Sequence, residues 1–279
     1  MKSTHISITL FIFSAIVASG CKKERKTITN PPATKTYLVT KITERTNLDT
    51  THYVKFEFTY DDKNRITQMT LPPDSYFGLG DTGPSMIYNY TYDSAGNLST
   101  VTSYQNTLYV ATTTYTYSAD SIYVSYGNPA KVAAAYAIKN NRITEENYET
   151  DRGYTTYNYD SNGNVSAFTY VHADGTAQPT VNFTYDQKKN PFSMIGGNNP
   201  PIIYFFILGE NAILYPGSPN GYSNINNLTA NPEGLSEIAS SSGTTISYLY
   251  NSDGFPAFAA VESDTGSNNI FLTYTYLVK

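Results

Sequence analysis

Along most of the chain a large residue alternates with a small polar one, and clusters of turn-forming residues interrupt the alternation at short intervals. Tyr157-Asn158-Tyr159 shows the unit plainly: the two aromatic positions share one face of a strand and the polar position takes the other. Asp160-Ser161-Asn162-Gly163 then breaks the period. Asp bonds its own backbone two residues on, and Asn and Gly accept positive φ at little cost. The stretch Tyr157 to Val165 therefore reads as strand, tight turn, strand. Either a two-residue Asn-Gly turn or a type I turn with a Gly bulge would join two antiparallel strands there.

Variants of this unit recur. The first is Phe56-Glu57-Phe58-Thr59-Tyr60-Asp61-Asp62-Lys63-Asn64-Arg65-Ile66, with Asn64 in the place of the glycine, and the cleanest is Tyr88-Asn89-Tyr90-Thr91-Tyr92-Asp93-Ser94-Ala95-Gly96-Asn97-Leu98. Tyr115-Thr116-Tyr117-Ser118-Ala119-Asp120 keeps the strand and loses the glycine, and Ile138-Lys139-Asn140-Asn141-Arg142-Ile143 keeps the Asn-Arg-Ile ending. Phe183-Thr184-Tyr185-Asp186 and Tyr248-Leu249-Tyr250-Asn251-Ser252-Asp253-Gly254 follow, and Phe271 to Tyr276 reads as a closing strand. Corresponding tyrosines lie roughly 20 to 30 residues apart in the regular part, one hairpin plus its connection, which predicts about a dozen strands. The expected fold is all-β: an antiparallel meander of repeated β-hairpins forming a large twisted or curled sheet.

The repeat is broken between about 196 and 242. Asn199-Pro200-Pro201 is a helix start signal ahead of the apolar run Ile202 to Leu208, and Gly209 is a stop, so a short helix over 200–209 is preferred to a buried strand. Tyr215 to Ser242 is rich in Asn, Gly, Pro and Ser and reads as a long irregular loop. A binding surface is expected where the repeat stops, with Tyr215, Tyr222, Asn224, Asn226 and Asn227 as its candidate residues.

The Tyr-Asp-x-x-Gly-Asn units resemble the YD repeats of RHS and teneurin proteins, in which strung hairpins form a β shell. Three signals in order sharpen the likeness: Tyr185-Asp186-Gln187-Lys188-Lys189-Asn190-Pro191-Phe192, then Asn224-Ile225-Asn226-Asn227-Leu228, then Tyr250-Asn251-Ser252-Asp253-Gly254-Phe255-Pro256. With them the chain, over most of residues 37–279, resembles Bacteroidetes lipoproteins of the DUF4595-like group. The resemblance implies a hairpin fold and an envelope address, and brings no catalytic residues with it. The giant RHS shells enclose a cargo, and six units are too few for such a container.

Composition and the N-terminus fill in the address. Lys2, the apolar run Ile6 to Val17 and the small residues Ala18-Ser19-Gly20 before Cys21 form a secretory signal, too short for a membrane span. Val17 to Cys21 resembles a lipobox, with Ala18 where Leu is commonest, and implies cleavage before Cys21 and lipidation of its thiol. Cys21 is the single cysteine, so no disulfide forms within the chain. Residues 1–20 are then signal peptide, 21–36 a tether and 37–279 the β domain. Removing residues 1–20 takes Lys2 away and moves the formal net charge from −5 to −6, which argues against a nucleic-acid partner. The expected partners are the membrane, through the lipid on Cys21, and a protein or glycan. The basic run Lys22-Lys23-Glu24-Arg25-Lys26 leans toward a periplasmic rather than a surface-exposed outer-membrane lipoprotein.

Candidate chemistry is sparse. His52 and His172 stand in separate repeats with no second His at metal spacing, and no Gly-x-Ser-x-Gly elbow or phosphate-cradling Gly-rich loop is present. Asp160 to Asn164 has Gly fourth and not sixth, so it is a hairpin turn and not a calcium loop. No cofactor or metal is expected. The acids Glu145, Glu146, Glu149 and Asp151 could supply a glycosidase-like carboxylate pair, but they read as solvated strand-end charges, Glu146 on the face opposite Glu145 and Glu149. The chain holds 27 tyrosines and no tryptophan. A stripe such as Tyr88, Tyr90 and Tyr92 reads as core, since its regularity in every repeat is what a shared core demands. A glycan platform of exposed tyrosines is the alternative. The function expected is a lipid-anchored, non-enzymatic binding or structural module.

Overall fold

The structure, a computed structural model, describes residues 35–48, 51–73, 84–126, 131–140, 142–148, 153–195, 226–231, 244–263 and 269–279. They form β1 (Tyr37–Thr46), β2 (Tyr53–Tyr60), β3 (Ile66–Leu71), β4 (Met86–Tyr92), β5 (Leu98–Gln105), β6 (Leu108–Tyr117), β7 (Ser121–Tyr126), β8 (Lys131–Lys139) and β9 (Arg142–Tyr148). After these come β10 (Tyr154–Tyr159), β11 (Val165–Val171), β12 (Val181–Asn182), β13 (Thr184–Lys189), β14 (Asn226–Asn231), β15 (Thr244–Tyr250), β16 (Pro256–Ser263) and β17 (Ile270–Val278). The fold is all-β, as the alternation predicts, with more strands than the dozen the repeat count suggests.

Each strand pairs antiparallel with its neighbour in the chain. β12 and β13 are two halves of one extended run divided at Phe183; the first half pairs with β11 and the second with β14. Counted as one, they bring the meander to sixteen strands. The meander does not end on free edges. β17 returns to β1 from Tyr37↔Val278 to Thr46↔Ile270, and Thr36 and Lys279 exchange both backbone hydrogen bonds at 3.0 Å. That closure joins residues more than 200 apart in sequence and satisfies donors and acceptors that edge strands would leave bare.

The turns resolve the choice that sequence left open. In Asp160 to Asn164, Gly163 N–H donates to Asp160 O (3.1 Å), Asp160 N–H to Asn164 O (2.8 Å), and Gly163 sits at φ +97°. This is a type I turn closed by a glycine bulge. The same pattern holds at Asp61, Asp93 and Asn251, with Asn64 (φ +63°) taking the glycine's place in the first. The side chain at the turn's first position caps it: Asp160 Oδ1 accepts Asn164 N–H at 2.8 Å, and Asp61 Oδ1 accepts Lys63 and Arg65 N–H, each at 2.9 Å. Asp thus holds the turn it begins.

The Tyr of each Tyr-Asp pair has a different task. The Tyr60 hydroxyl donates to Val39 O (2.6 Å), and Tyr92 to Ile66 O, Tyr159 to Ile143 O and Tyr185 to Val165 O (each 2.7 Å); Tyr276 of the closing strand, followed by Leu277, donates to Pro256 O in the same way (2.7 Å). Each ring lies over the preceding hairpin and latches onto its backbone. Burial raises the hydroxyl pKa of Tyr60, Tyr92 and Tyr276, and pushes that of Tyr159 up to about 12. One row further in, Phe58, Tyr90, Tyr115, Tyr136, Tyr157 and Tyr274 are buried, with Ile66, Met69, Leu98 and Val101 beside them in one cluster. The inner face of the ring is therefore core, as the regularity of the tyrosine stripe predicts.

Much of the outer face is polar, with Leu249, Phe258 and Phe271 as an apolar patch over β15–β17. Thr59 pairs with Thr67 (2.9 Å), Thr91 with Thr100 (2.7 Å), Thr102 with Thr112 (3.2 Å) and Thr169 with Thr180 (2.8 Å), and Gln68 Nε2 donates to Asn89 Oδ1 (2.9 Å). Such cross-strand pairs are the stabilising unit of a sheet's wet side.

The helix expected over 200–209 lies outside the described residues. The stretch read as a loop from Tyr215 to Ser242 contains β14, which fills the place between β13 and β15. Its Asn-rich sequence is a poor strand former, but pairing on both sides outweighs that preference. Ahead of the break, Asn190 to Ile195 turns inward. Asn190 Oδ1 accepts Phe192 N–H (2.9 Å), the buried Phe192 ring meets Phe58 edge-on at 5.7 Å, and Tyr37 N–H donates to Met194 Sδ (3.2 Å). β13 and β2 are separated by several strands along the ring, so this segment reaches across it.

Candidate functional site

The repeat defines slots, and departures from them stand out. Opposite the buried aromatic of each hairpin the return strand supplies an inner residue: Met69 faces Phe58, Val101 faces Tyr90, Val124 faces Tyr115, Phe168 faces Tyr157 and Ala259 faces Tyr248. In the β8–β9 hairpin the residue facing Tyr136 is Glu146. It is 0% exposed. Tyr136 donates its hydroxyl to Glu146 Oε1 (3.0 Å) and Tyr157 donates to Oε2 (2.7 Å). A carboxyl removed from water must be hydrogen-bonded to be tolerated, and two phenols from flanking strands do this.

Glu145 points the other way and accepts Asn147 Nδ2 at 2.8 Å. The alternation read from sequence is right about the two faces, and the expectation that the acids are solvated fails for Glu146. Glu149 and Asp151 lie outside the described residues. The sequence carried a signal that was missed: Ile143-Thr144-Glu145-Glu146 aligns with Ile66-Thr67-Gln68-Met69, which places Glu146 in a core slot. An ion pair, Lys55 Nζ to Glu44 Oε2 at 3.5 Å, links β1 and β2, and both side chains are largely buried.

The two ends of the ring differ. The end carrying the Asp-capped turns also holds the joint: Tyr37 donates to Asp253 Oδ2, Lys35 Nζ lies 3.4 Å from the same oxygen, and Lys279 Nζ donates to Asn64 Oδ1 at 2.9 Å. Hydrogen bonds from Tyr37 foremost, then Lys35, hold the Asp253 carboxyl below its usual range. At the opposite rim, apolar side chains face solvent: Leu48 is 78% exposed, Leu108 73%, Tyr109 61% and Val110 50%. The last three follow the β5–β6 turn, where Asn106 sits at φ +54° and accepts Ser85 N–H on Oδ1 (3.0 Å). Tyr104 meets Tyr109 edge-on at 6.2 Å.

Of the residues singled out from sequence, Cys21, Tyr215, Tyr222 and Asn224 lie outside the described residues. Asn226 and Asn227 begin β14, with Asn226 opposite Lys189. His52 is exposed, and His172 Nε2 lies 3.3 Å from Gln178 Nε2 on the surface. Among the described residues no group of three or more His, Cys, Asp or Glu could hold a metal ion.

No protein-family model matches the chain, and no curated protein matches it. Among solved structures it is similar to a porin-like protein from Bacteroides uniformis ATCC 8492, at 13% identity and TM-score 0.40, covering 87% of this chain and 98% of that one. A porin-like protein from Bacteroides vulgatus ATCC 8482 is 14% identical with TM-score 0.35, covering 86% and 99%. TcdB2-TccC3-TEV is 15% identical with TM-score 0.30, covering 82% of this chain and 12% of that one.

Proposed function

We propose that the chain is a lipid-anchored, non-enzymatic binding or structural module of the bacterial envelope, of the DUF4595-like group with YD-like repeats. One observation carries the reading: the ring buries its apolar face inward and turns threonine and amide side chains outward. A membrane-spanning barrel needs the reverse, an apolar outer band facing lipid. A ring with a wet flank belongs in water, and attachment to a membrane must come from elsewhere, which is the role of a lipid on Cys21. The buried Glu146 stabilises the ring and does no chemistry, because both of its oxygens accept from tyrosines and it has no exposed surface.

The test is labelling of cells with a clickable fatty acid. The wild type takes up label and fractionates with outer membrane, and Cys21→Ser loses both. The mature chain carrying Cys21→Ala then purifies without detergent; a requirement for detergent would overturn the reading. Protease treatment of intact cells decides between the periplasmic orientation, favoured by Lys22 to Lys26, and the surface. Glycan binding is the second reading, favoured by the exposed Tyr123 opposite Thr116 on the hydroxyl-rich outer face. Retardation in a polysaccharide gel that Tyr123→Ala abolishes would support it.

A further inference from the structure

We infer that the rim opposite the capped turns is a lipid-contacting surface, at which Leu48 on one loop and Leu108, Tyr109 and Val110 on another enter the interfacial layer of a bilayer. Three of the four most exposed large apolar side chains among the described residues, Leu48, Leu108 and Tyr109, stand at this one rim; the fourth, Leu249, and the less exposed Val278 and Leu277 stand at the capped end. Between Asp93 and Asp120 the sequence has no Asp, Glu, Lys, Arg or His, so the whole β5–β6 hairpin is uncharged. Tyrosine beside aliphatic residues is the composition that the membrane–water interface favours.

Geometry separates a bilayer from other occupants. The β1–β2 and β5–β6 tips stand four strand spacings apart around the ring, about 19 Å. A flat bilayer meets both at once, whereas a protein pocket needs one contiguous patch. The exposed apolar area of the β5–β6 tip is on the order of 300 Å², the size of an ordinary monomer's largest patch. A stable dimer buries roughly 800 Å² on each partner, so a second copy is a poor fit. The net charge of the mature chain is negative, so the attraction is apolar and not electrostatic. The inference rests on the water-facing flank and not on lipidation, and it is tested without the lipid so that the two can fail separately.

The chain has no tryptophan. In the mature chain carrying Cys21→Ala, Tyr109→Trp therefore supplies a single reporter at the rim, and Leu277→Trp one at the other end. With phosphatidylcholine vesicles the rim reporter shifts to the blue and is quenched by brominated lipid, and the other does not change. Leu48→Trp is a second rim reporter and behaves as the first. On phosphatidylcholine alone salt leaves the response unchanged, and adding phosphatidylglycerol weakens it. The double variant Leu108→Asp with Val110→Asp cuts vesicle co-sedimentation by about tenfold or more at an unchanged thermal midpoint. An unmoved rim reporter, an equal shift at both ends, or a shift with protein concentration in the absence of vesicles would each overturn the inference.

Discussion

The two ends of the ring are built from the same strands and solve different problems. At the capped end every feature of the repeat is used: Asp starts and holds the turn, Asn or Gly takes the positive φ, and Tyr latches onto the previous hairpin's carbonyl. At the far rim the repeat prescribes nothing, and connections differ from hairpin to hairpin. Leu98 is fully buried at the first end, while Leu108, ten residues later in the same hairpin, is 73% exposed at the second. Stability is concentrated where the motif acts and surface chemistry is free to vary where it does not.

The largest expected effect is global and comes from pH. Burial foremost raises Tyr92 and Tyr248 and pushes Tyr159 up to about 12, all above the unfolded value of 10.0. A raised tyrosine favours the folded state fully below pH 10, and that contribution is lost as pH rises through the folded value. Phenolate absorbance of the inner rows should therefore appear in one step with loss of the β signal, between about pH 10 and 12. The acid side has the opposite sign. Burial acts to raise Asp61 and Asp160, but turn hydrogen bonds outweigh it and hold both below the ordinary carboxylate value of 3.8. Their stabilisation is complete above that value and lost as pH falls through the lower, folded one. Gradual ionisation of the inner tyrosines ahead of unfolding would contradict the buried rows.

Within the fold, Leu98→Ala should cost about 2–5 kcal/mol, because a fully packed side chain leaves a cavity beside its neighbours. Leu108→Ala should stay within about 0.5 kcal/mol. Urea unfolding of the two variants measures the contrast directly. Equal losses would mean that the far rim carries structure that its exposure does not indicate.

Glu146 sharpens the comparison from inside the core. Glu146→Ala strands two buried phenols and should cost about 3 kcal/mol. Giving the slot its siblings' chemistry, with Glu146→Met, Tyr136→Phe and Tyr157→Phe together, removes donors and acceptor at once and should recover most of that loss. Failure of the triple variant to recover would assign Glu146 a role beyond satisfying its two partners.

How much of this was legible follows from the range of each interaction. The turn at Asp160 was readable because its chemistry lies within five residues, and the sidedness of the strands because a period of two needs no partner. Closure was not, since Tyr37↔Val278 lies beyond any local signal. β14 was hidden because Asn-rich sequence reads as loop until strands flank it on both sides. Glu146 was legible in principle, from the alignment of Ile143 to Glu146 with Ile66 to Met69, but only once repeats are compared slot by slot. The candidate surface went the other way. The broken repeat drew attention to Tyr215 to Asn227, while the uncharged run Leu108-Tyr109-Val110 sits inside a regular hairpin and looked like strand.

The smallest effect separates two tyrosines of one type by sign. Tyr92 and Tyr115 lie two strands apart, on the same inner face. The Tyr92 hydroxyl donates to Ile66 O at 2.7 Å, whereas the buried Tyr115 hydroxyl has no hydrogen-bond partner among the described residues. Tyr92→Phe removes a made bond and strands a carbonyl, and should cost about 1 kcal/mol. Tyr115→Phe removes only an unsatisfied group, so its effect on the urea midpoint should be zero or stabilising. Both variants keep the ring and its packing, so the difference between them isolates the latch. If the two lost stability equally, the rings alone would hold one hairpin to the next, and the hydroxyl that sets Tyr apart from Phe at the start of each Tyr-Asp pair would contribute nothing to the closed end of the ring.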